Sequence, residues 1–256
     1  GLSIRYVRWM TTTRGRPEAI LVGTEPAGIF VSLDRGLSFD ARPEVMELRD
    51  RHGWRLPYSP AAGCIRGFAV ADGGSNPRRV YAAAEVGGVL VSVDGGGRWR
   101  LAAGSDGNPD LYRDLGTRVH PDVHGLAVFP GNADLILAAT GGGLYRSDDG
   151  GQSWRNVYPS YMRAVWIDPA DSRHLVAGPA DGVARNGRIE ESFDGGRRCV
   201  GVLRPEGARQ LVVAAEVLAQ PHGVAGTAAV EELTGDGRRG VLLVGEDRHL
   251  VVGDDE

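Results

Sequence analysis

The chain has 256 residues, of which 42% are hydrophobic and 7% aromatic, with 39 Gly and 14 Pro, a turn-rich composition that suits one large closed β domain. Its 29 basic and 33 acidic residues are interspersed and sum to a net charge of -4, which excludes a protein that grips a nucleic-acid backbone. Two distant cysteines, Cys64 and Cys199, do not build a disulfide framework, and no apolar run reaches membrane-spanning length. Residues 1–9 lack a signal-peptide pattern, so the expectation is a cytoplasmic monomer, although a mature secreted chain would read the same.

Taken in chain order, apolar alternation predicts strands at 4–9, 18–23, 28–32 and 37–41, the last two joined by SLDRGLSF. A second group follows at 65–71, 79–84, 88–92 and 98–102, joined by SVDGGGRW. A third spans 123–129, 135–139, 143–147 and 153–157 around SDDGGQSW, and a fourth 162–168, 174–178, 188–192 and 197–203 around SFDGGRRC. The tail is less regular, with strands expected at 209–218, 224–232, 240–245 and 249–253. It ends in HLVVGDDE, which can be read as a shortened copy of the same phrase.

The repeated phrase has a physical logic. Asp34, Asp94, Asp149 and Asp194 are placed to accept backbone N–H bonds inside a tight turn, and the glycines supply positive φ. Phe39, Trp99 and Trp154 then start the returning strand and pack back across the hairpin; Cys199 takes that place in the fourth copy and predicts a smaller plug and a weaker turn.

The phrase S-x-D-x-G-x-x-W resembles the Asp box of BNR-repeat β-propellers, a group that includes sialidases and other glycosidases, sortilin-type receptors and photosystem assembly factors. The stretch TEPAGIFVSLDRGLSF is similar to the first blade of bacterial WD40/YVTN/BNR-like proteins of sialidase fold. The resemblance covers about the first four fifths of the chain and implies an all-β fold, a small β-propeller forming a single domain over 1–256. Its blades are expected near 1–41, 65–102, 123–157, 162–203 and 209–256, five in number with six as the alternative. In such propellers the Asp boxes are structural and lie away from the ligand face, so they do not specify an activity.

Two features are candidates for function. The connections 42–64 and 103–122 are long and fall on one face beside the second blade. They carry His52, Trp54, Arg55 and Tyr58, and Asp110, Tyr112, Arg113, Arg118 and His120, a mixture that fits a carbohydrate or small anion and also fits an ordinary packed loop. In addition, IRYV, IRGF, VHGL and MRAV align Arg5, Arg66, His124 and Arg163 at the start of successive inner strands, with His222 a further member. Gathered at a channel mouth, these groups would bind an anion through charge-assisted bonds, or pair with Glu25 and Glu85 of the adjoining turns.

The leading expectation is therefore a non-enzymatic ligand-binding or assembly propeller. Its partner is a small anionic or carbohydrate-like ligand, or another protein, and neither nucleic acid nor membrane is a partner. The alternative is a sialidase-like exo-glycosidase with Glu25 and Glu85 as the catalytic carboxylates; the resemblance would then require an arginine group for the substrate carboxylate, filled by Arg66 and Arg163, and a nucleophilic Tyr, filled by Tyr58 or Tyr112. No cofactor is expected. The histidine spacing lacks a zinc pattern and the glycines at 141–143 precede a strand, so neither a metal nor a phosphate loop is expected.

Overall fold

The structure is a computed structural model that describes residues 6–13, 19–56, 63–71, 79–183, 185–203, 210–214, 228–233, 239–244 and 250–253. These residues form five four-stranded antiparallel sheets. The first contains β1 (Tyr6–Thr13), β2 (Ala19–Glu25), β3 (Gly28–Ser32) and β4 (Asp40–Ala41), and is followed by helix α1 (Pro43–His52). The second contains β5 (Cys64–Ala71), β6 (Arg79–Glu85), β7 (Gly88–Ser92) and β8 (Arg100–Leu101). The third contains β9 (Val123–Phe129), β10 (Asn132–Thr140), β11 (Gly143–Ser147) and β12 (Arg155–Tyr158). The fourth contains β13 (Tyr161–Ile167), β14 (Leu175–Ala180), β15 (Ile189–Ser192) and β16 (Val200–Leu203), and the fifth β17 (Gln210–Ala214), β18 (Ala228–Leu233), β19 (Arg239–Val244) and β20 (Leu250–Gly253). Each sheet is a meander, and the first strand of each contacts the first strand of the next, so β1, β5, β9, β13 and β17 are the inner strands of a blade series.

The Asp-box turns have one geometry. In each, the Ser hydroxyl donates to the Asp Oδ1, at 2.7 Å in the first three boxes and 3.0 Å in the fourth. The same hydroxyl accepts the N–H of Gly36, Gly96, Gly151 and Gly196 at 2.8, 2.8, 2.8 and 2.9 Å. The Asp Oδ1 then accepts the N–H of Ser38, Arg98, Ser153 and Arg198, each at 2.9 Å. Hydrogen bonds led by the Ser38 side chain hold Asp34 down at about 2. Burial opposes ionisation of Asp149, yet bonds from Ser153, Ser147 and Gln152 outweigh it and hold this group at about 2 as well. Because the turn occupies so many residues, β4 and β8 are shorter than the sequence predicts, whereas β3, β7, β9 and β11 begin and end where predicted.

Apolar layers fill the spaces between successive sheets. Leu21, Ile29, Ile65, Leu90 and Trp99 pack between the first two, and Tyr81, Val89, Ile136, Tyr145 and Trp154 between the next two. Each such side chain, buried at no more than 7% exposure, contributes about 1.5–3 kcal/mol relative to an exposed position. The layer between the third and fourth sheets departs from this scheme. Glu190 stands where Leu90 and Tyr145 stand, and Cys199 where Trp99 and Trp154 stand. Glu190 is buried and its Oε1 receives Arg188 Nε at 2.6 Å, while its Oε2 lacks a hydrogen-bond partner among the described residues.

The connection after β4 is not the plain loop that the sequence reading expects. Pro43 opens α1, Glu44 lies in its first turn, Arg49, Arg51 and His52 in its last, and Gly53 closes it in the left-handed conformation at φ 67. Only Val45 of this helix is buried, which explains why apolar periodicity does not announce it. Glu44 Oε1 accepts the Trp99 N–H at 2.9 Å and ties the helix to the next Asp box. Among the described residues no helix is long and apolar enough to cross a membrane, and Cys64 and Cys199 are unbridged.

Candidate functional site

The inner strands share an irregularity that sets the site. Tyr6 pairs with Glu25 and Val7 with Thr24, after which pairing skips Arg8 and resumes at Trp9 with Gly23. Cys64 pairs with Glu85 and Ile65 with Ala84, and pairing skips Arg66. Val123 pairs with Thr140 and pairing skips His124; in the fourth sheet the ladder breaks after Met162 and resumes at Val165, across Arg163. A bulge residue is released from the ladder and its side chain re-aimed. Four consecutive sheets thus present Arg8, Arg66, His124 and Arg163 at one position. In the paired ladder Arg8 holds the position that Arg66 holds in the second sheet. Arg5 itself, Tyr58 and His222 lie outside the described residues.

Glu25 and Glu85 are equivalent between blades, as expected, and both are buried at the ends of β2 and β6. Each meets the bulge residue of its own sheet. Arg8 Nε donates to Glu25 Oε2 at 2.6 Å, and Arg66 Nε to Glu85 Oε2 at 2.6 Å. The Cys64 thiol donates to that same Glu85 oxygen at 2.8 Å. Burial, then the neighbouring Glu85 charge, pushes the Cys64 thiol far above its ordinary range, so it stays a thiol rather than a nucleophilic thiolate.

The third and fourth blades complete the cluster. His124 is buried; its Nδ1 lies 2.6 Å from the Met162 carbonyl and its Nε2 3.2 Å from Asp122 Oδ1. Burial raises the Asp122 carboxyl, but the His124 contact and the charges of His120 and Arg163 outweigh it and hold the group below its usual range. Arg163 donates to the Tyr161 hydroxyl at 3.1 Å, and the Tyr161 ring lies against His124 with centroids 5.1 Å apart. Burial moves the Tyr161 phenol upward, and the Arg163 charge only partly offsets this. His120 accepts the Asp122 N–H on Nδ1 at 3.2 Å, and burial pushes its imidazole below its ordinary range.

The glycines at 141–143 make room for this arrangement. A Cβ at Gly141 would overlap Asp122 Oδ2, and one at Gly142 would overlap the His120 ring. Neither residue has positive φ, so their requirement is space rather than backbone freedom. Residues missed by sequence reasoning are Arg8, Cys64, Asp122 and Tyr161. Their available signal is position: each lies within two residues of an inner-strand start.

The long connections act differently from their sequence-level reading. Trp54 is fully buried and its Nε1 donates to the Gly107 carbonyl at 2.8 Å, which links one connection to the other. Arg113 pairs with Asp106 at 2.5 Å and Arg118 with the same residue at 3.2 Å. Tyr112 is 96% exposed, its N–H held by Asp110 Oδ1 at 3.0 Å, so it stands in solvent rather than in a pocket. The Asp boxes lie at the other end of the five-residue strands β3, β7 and β11, about 16 Å from the end that carries Glu25 and Glu85.

Comparison with known proteins agrees with this architecture. Residues 145–156 match the BNR/Asp-box repeat. The Niastella koreensis GH74 enzyme superposes with TM-score 0.67 at 16% identity, covering 96% of this chain and 37% of that one. The GH74 xyloglucanase from Xanthomonas campestris superposes with TM-score 0.56 at 15% identity over 91% of this chain and 36% of that one. YCF48 bound to D1 peptide superposes with TM-score 0.51 at 13% identity, over 99% and 80% of the two chains. The chain therefore spans little more than a third of the GH74 proteins it matches, and at these identities the likeness is one of fold. No curated protein matches by sequence. The fold is that of a β-propeller, and the chain carries the Asp-box repeat.

Proposed function

We propose that this propeller is a binding protein whose channel mouth recognises a small ligand bearing a carboxylate and hydroxyl groups, such as a sugar acid. The observation that carries the reading is the shared bulge, which delivers Arg8, Arg66, His124 and Arg163 beside Glu25, Glu85 and Asp122. Guanidinium groups match a carboxylate in charge and geometry, while fixed carboxylates accept from hydroxyls. We further propose that residues 1–256 form one five-bladed ring.

The reading is tested by calorimetry with galacturonate and N-acetylneuraminate against their neutral counterparts, on wild type and Arg163→Gln. The acids are expected to bind and the neutral sugars not, with the acid preference reduced in the variant. Equal response to acid and neutral sugar would overturn it.

Hydrolysis through Glu25 and Glu85 is the second reading, and the likeness to GH74 enzymes, one of them a xyloglucanase, is what favours it. Against it stands the pairing of each carboxylate with its own arginine, which suits a fixed charge better than a proton shuttle. Xyloglucan turnover that is abolished in Glu85→Gln, with the fold retained, would decide for hydrolysis.

A further inference from the structure

We propose that Glu85, Asp122 and His124 form a site for a divalent transition metal of the zinc class. The three residues come from two blades and the connection between them, and one donor atom from each lies within 4.8 Å of the others. Donors around a tetrahedral ion are about 3.3 Å apart, so shifts on the order of 1 Å would close them on it. Two of the three, Glu85 and His124, are buried, which fixes their rotamers and excludes competing water.

The orientation of His124 gives the site its polarity. The Met162 carbonyl can only accept, so the 2.6 Å contact assigns a proton to Nδ1. A backbone carbonyl behind one ring nitrogen is the arrangement that orients a ligating imidazole and makes its other nitrogen more basic. The Nε2 atom then faces Asp122 Oδ1 at 3.2 Å, and a carboxylate oxygen likewise only accepts. A metal ion placed between them would be bound by both atoms. Gly141 adds an independent sign of construction, since any side chain there would displace Asp122 Oδ2 from this position.

The donor set selects the class of ion. One imidazole and two carboxylates suit zinc, cobalt and their neighbours better than calcium or magnesium, which prefer oxygen alone. Cys64 is not one of the three residues whose donor atoms gather within 4.8 Å of one another. The Arg66 guanidinium beside Glu85 lowers the net negative charge of the site, so the ion would keep positive character toward solvent. The inference stands whether or not the sugar-acid reading does.

The test is titration of the EDTA-stripped full chain with Co2+, followed by visible absorption and by displacement with Zn2+. We expect one Co2+ per chain, with a d–d band and no sulfur charge-transfer band. Asp122→Asn and His124→Asn are expected to weaken binding by at least about tenfold. His174→Gln, at the distant histidine that bridges Asp168 and Glu191, leaves it unchanged. Lack of a saturable band in wild type overturns the proposal, as does binding that survives both site variants or is lost only in His174→Gln. If the site variants fold poorly, wild-type imidazole 15N spectra decide. Zn2+ must shift Nε2 of the histidine that shows contacts to the Tyr161 ring, and a shift confined to other histidines overturns the assignment.

Discussion

Replacing Trp54 by Ala tests whether the connection after the first blade is a structural clamp. The indole is 0% exposed, donates to the Gly107 carbonyl at 2.8 Å, and packs so closely on the turn after β6 that a Cβ at Gly87 would lie 2.7 Å from its Cε2. Burial of this kind costs about 3–5 kcal/mol when truncated to Ala, and the deserted Gly107 carbonyl adds about 1 kcal/mol unless water reaches it. Collapse of the connection recovers part of this, so the expected loss is about 4 kcal/mol. For a chain of 256 residues that corresponds to a fall of roughly 8–16 °C in Tm. Urea denaturation followed by circular dichroism, together with calorimetry, measures the loss. Trp54→Phe retains most of the apolar contact and should lose only about 1–2 kcal/mol. A loss below about 1 kcal/mol in Trp54→Ala, with α1 still resistant to proteolysis, would refute the clamp.

Further predictions rest on the Asp boxes and on the third interblade layer. Arg35 takes φ 62 where the other boxes have glycine, so Arg35→Gly is expected to stabilise by about 0.5–1 kcal/mol in thermal melts, the relief of left-handed strain exceeding the added unfolded-state entropy. Asp149→Ala removes bonds to Ser147, Gln152 and Ser153 and should cost about 1–2 kcal/mol in urea. Asp34 and Asp149 fall from an ordinary 3.8 to about 2 on folding, so their contribution is complete above pH 4 and is lost as pH drops toward 2. An acid titration of stability should flatten across that interval when Asp149 is replaced by Asn. The triple replacement Arg188→Gly, Glu190→Leu and Cys199→Trp removes the whole ion pair and restores the pattern of the second blade, and should raise stability by about 1–3 kcal/mol, read by denaturant midpoint, whereas Glu190→Leu alone leaves Arg188 without this partner and should lower it.

The hairpins were legible in the sequence because the Ser and Asp bonds that close each turn are local. Ser32 reaches Asp34 and Gly36, and Asp34 reaches Ser38, so eight consecutive residues specify the turn wherever it lies. The blade order followed, since each meander pairs only neighbouring strands. Helix α1 also carries local signals in Pro43, Glu44 and Gly53, but its single buried residue leaves no apolar stripe, and a loop reading results.

The mouth was legible in type but not in membership. Residue spacing indicates that basic side chains begin the inner strands, yet a one-residue shift in register turns a strand side chain to the other face. The bulge that brings Arg8 into line with Arg66 is a property of the paired ladder, which a single strand does not display. Asp122 and His124 meet Glu85 only because adjacent blades pack side by side, and nothing in the distance between them along the chain records that approach. Local hydrogen bonding wrote the repeat into the sequence; the convergence of its charges was decided by interblade packing, whose energy comes from the apolar layers between the sheets.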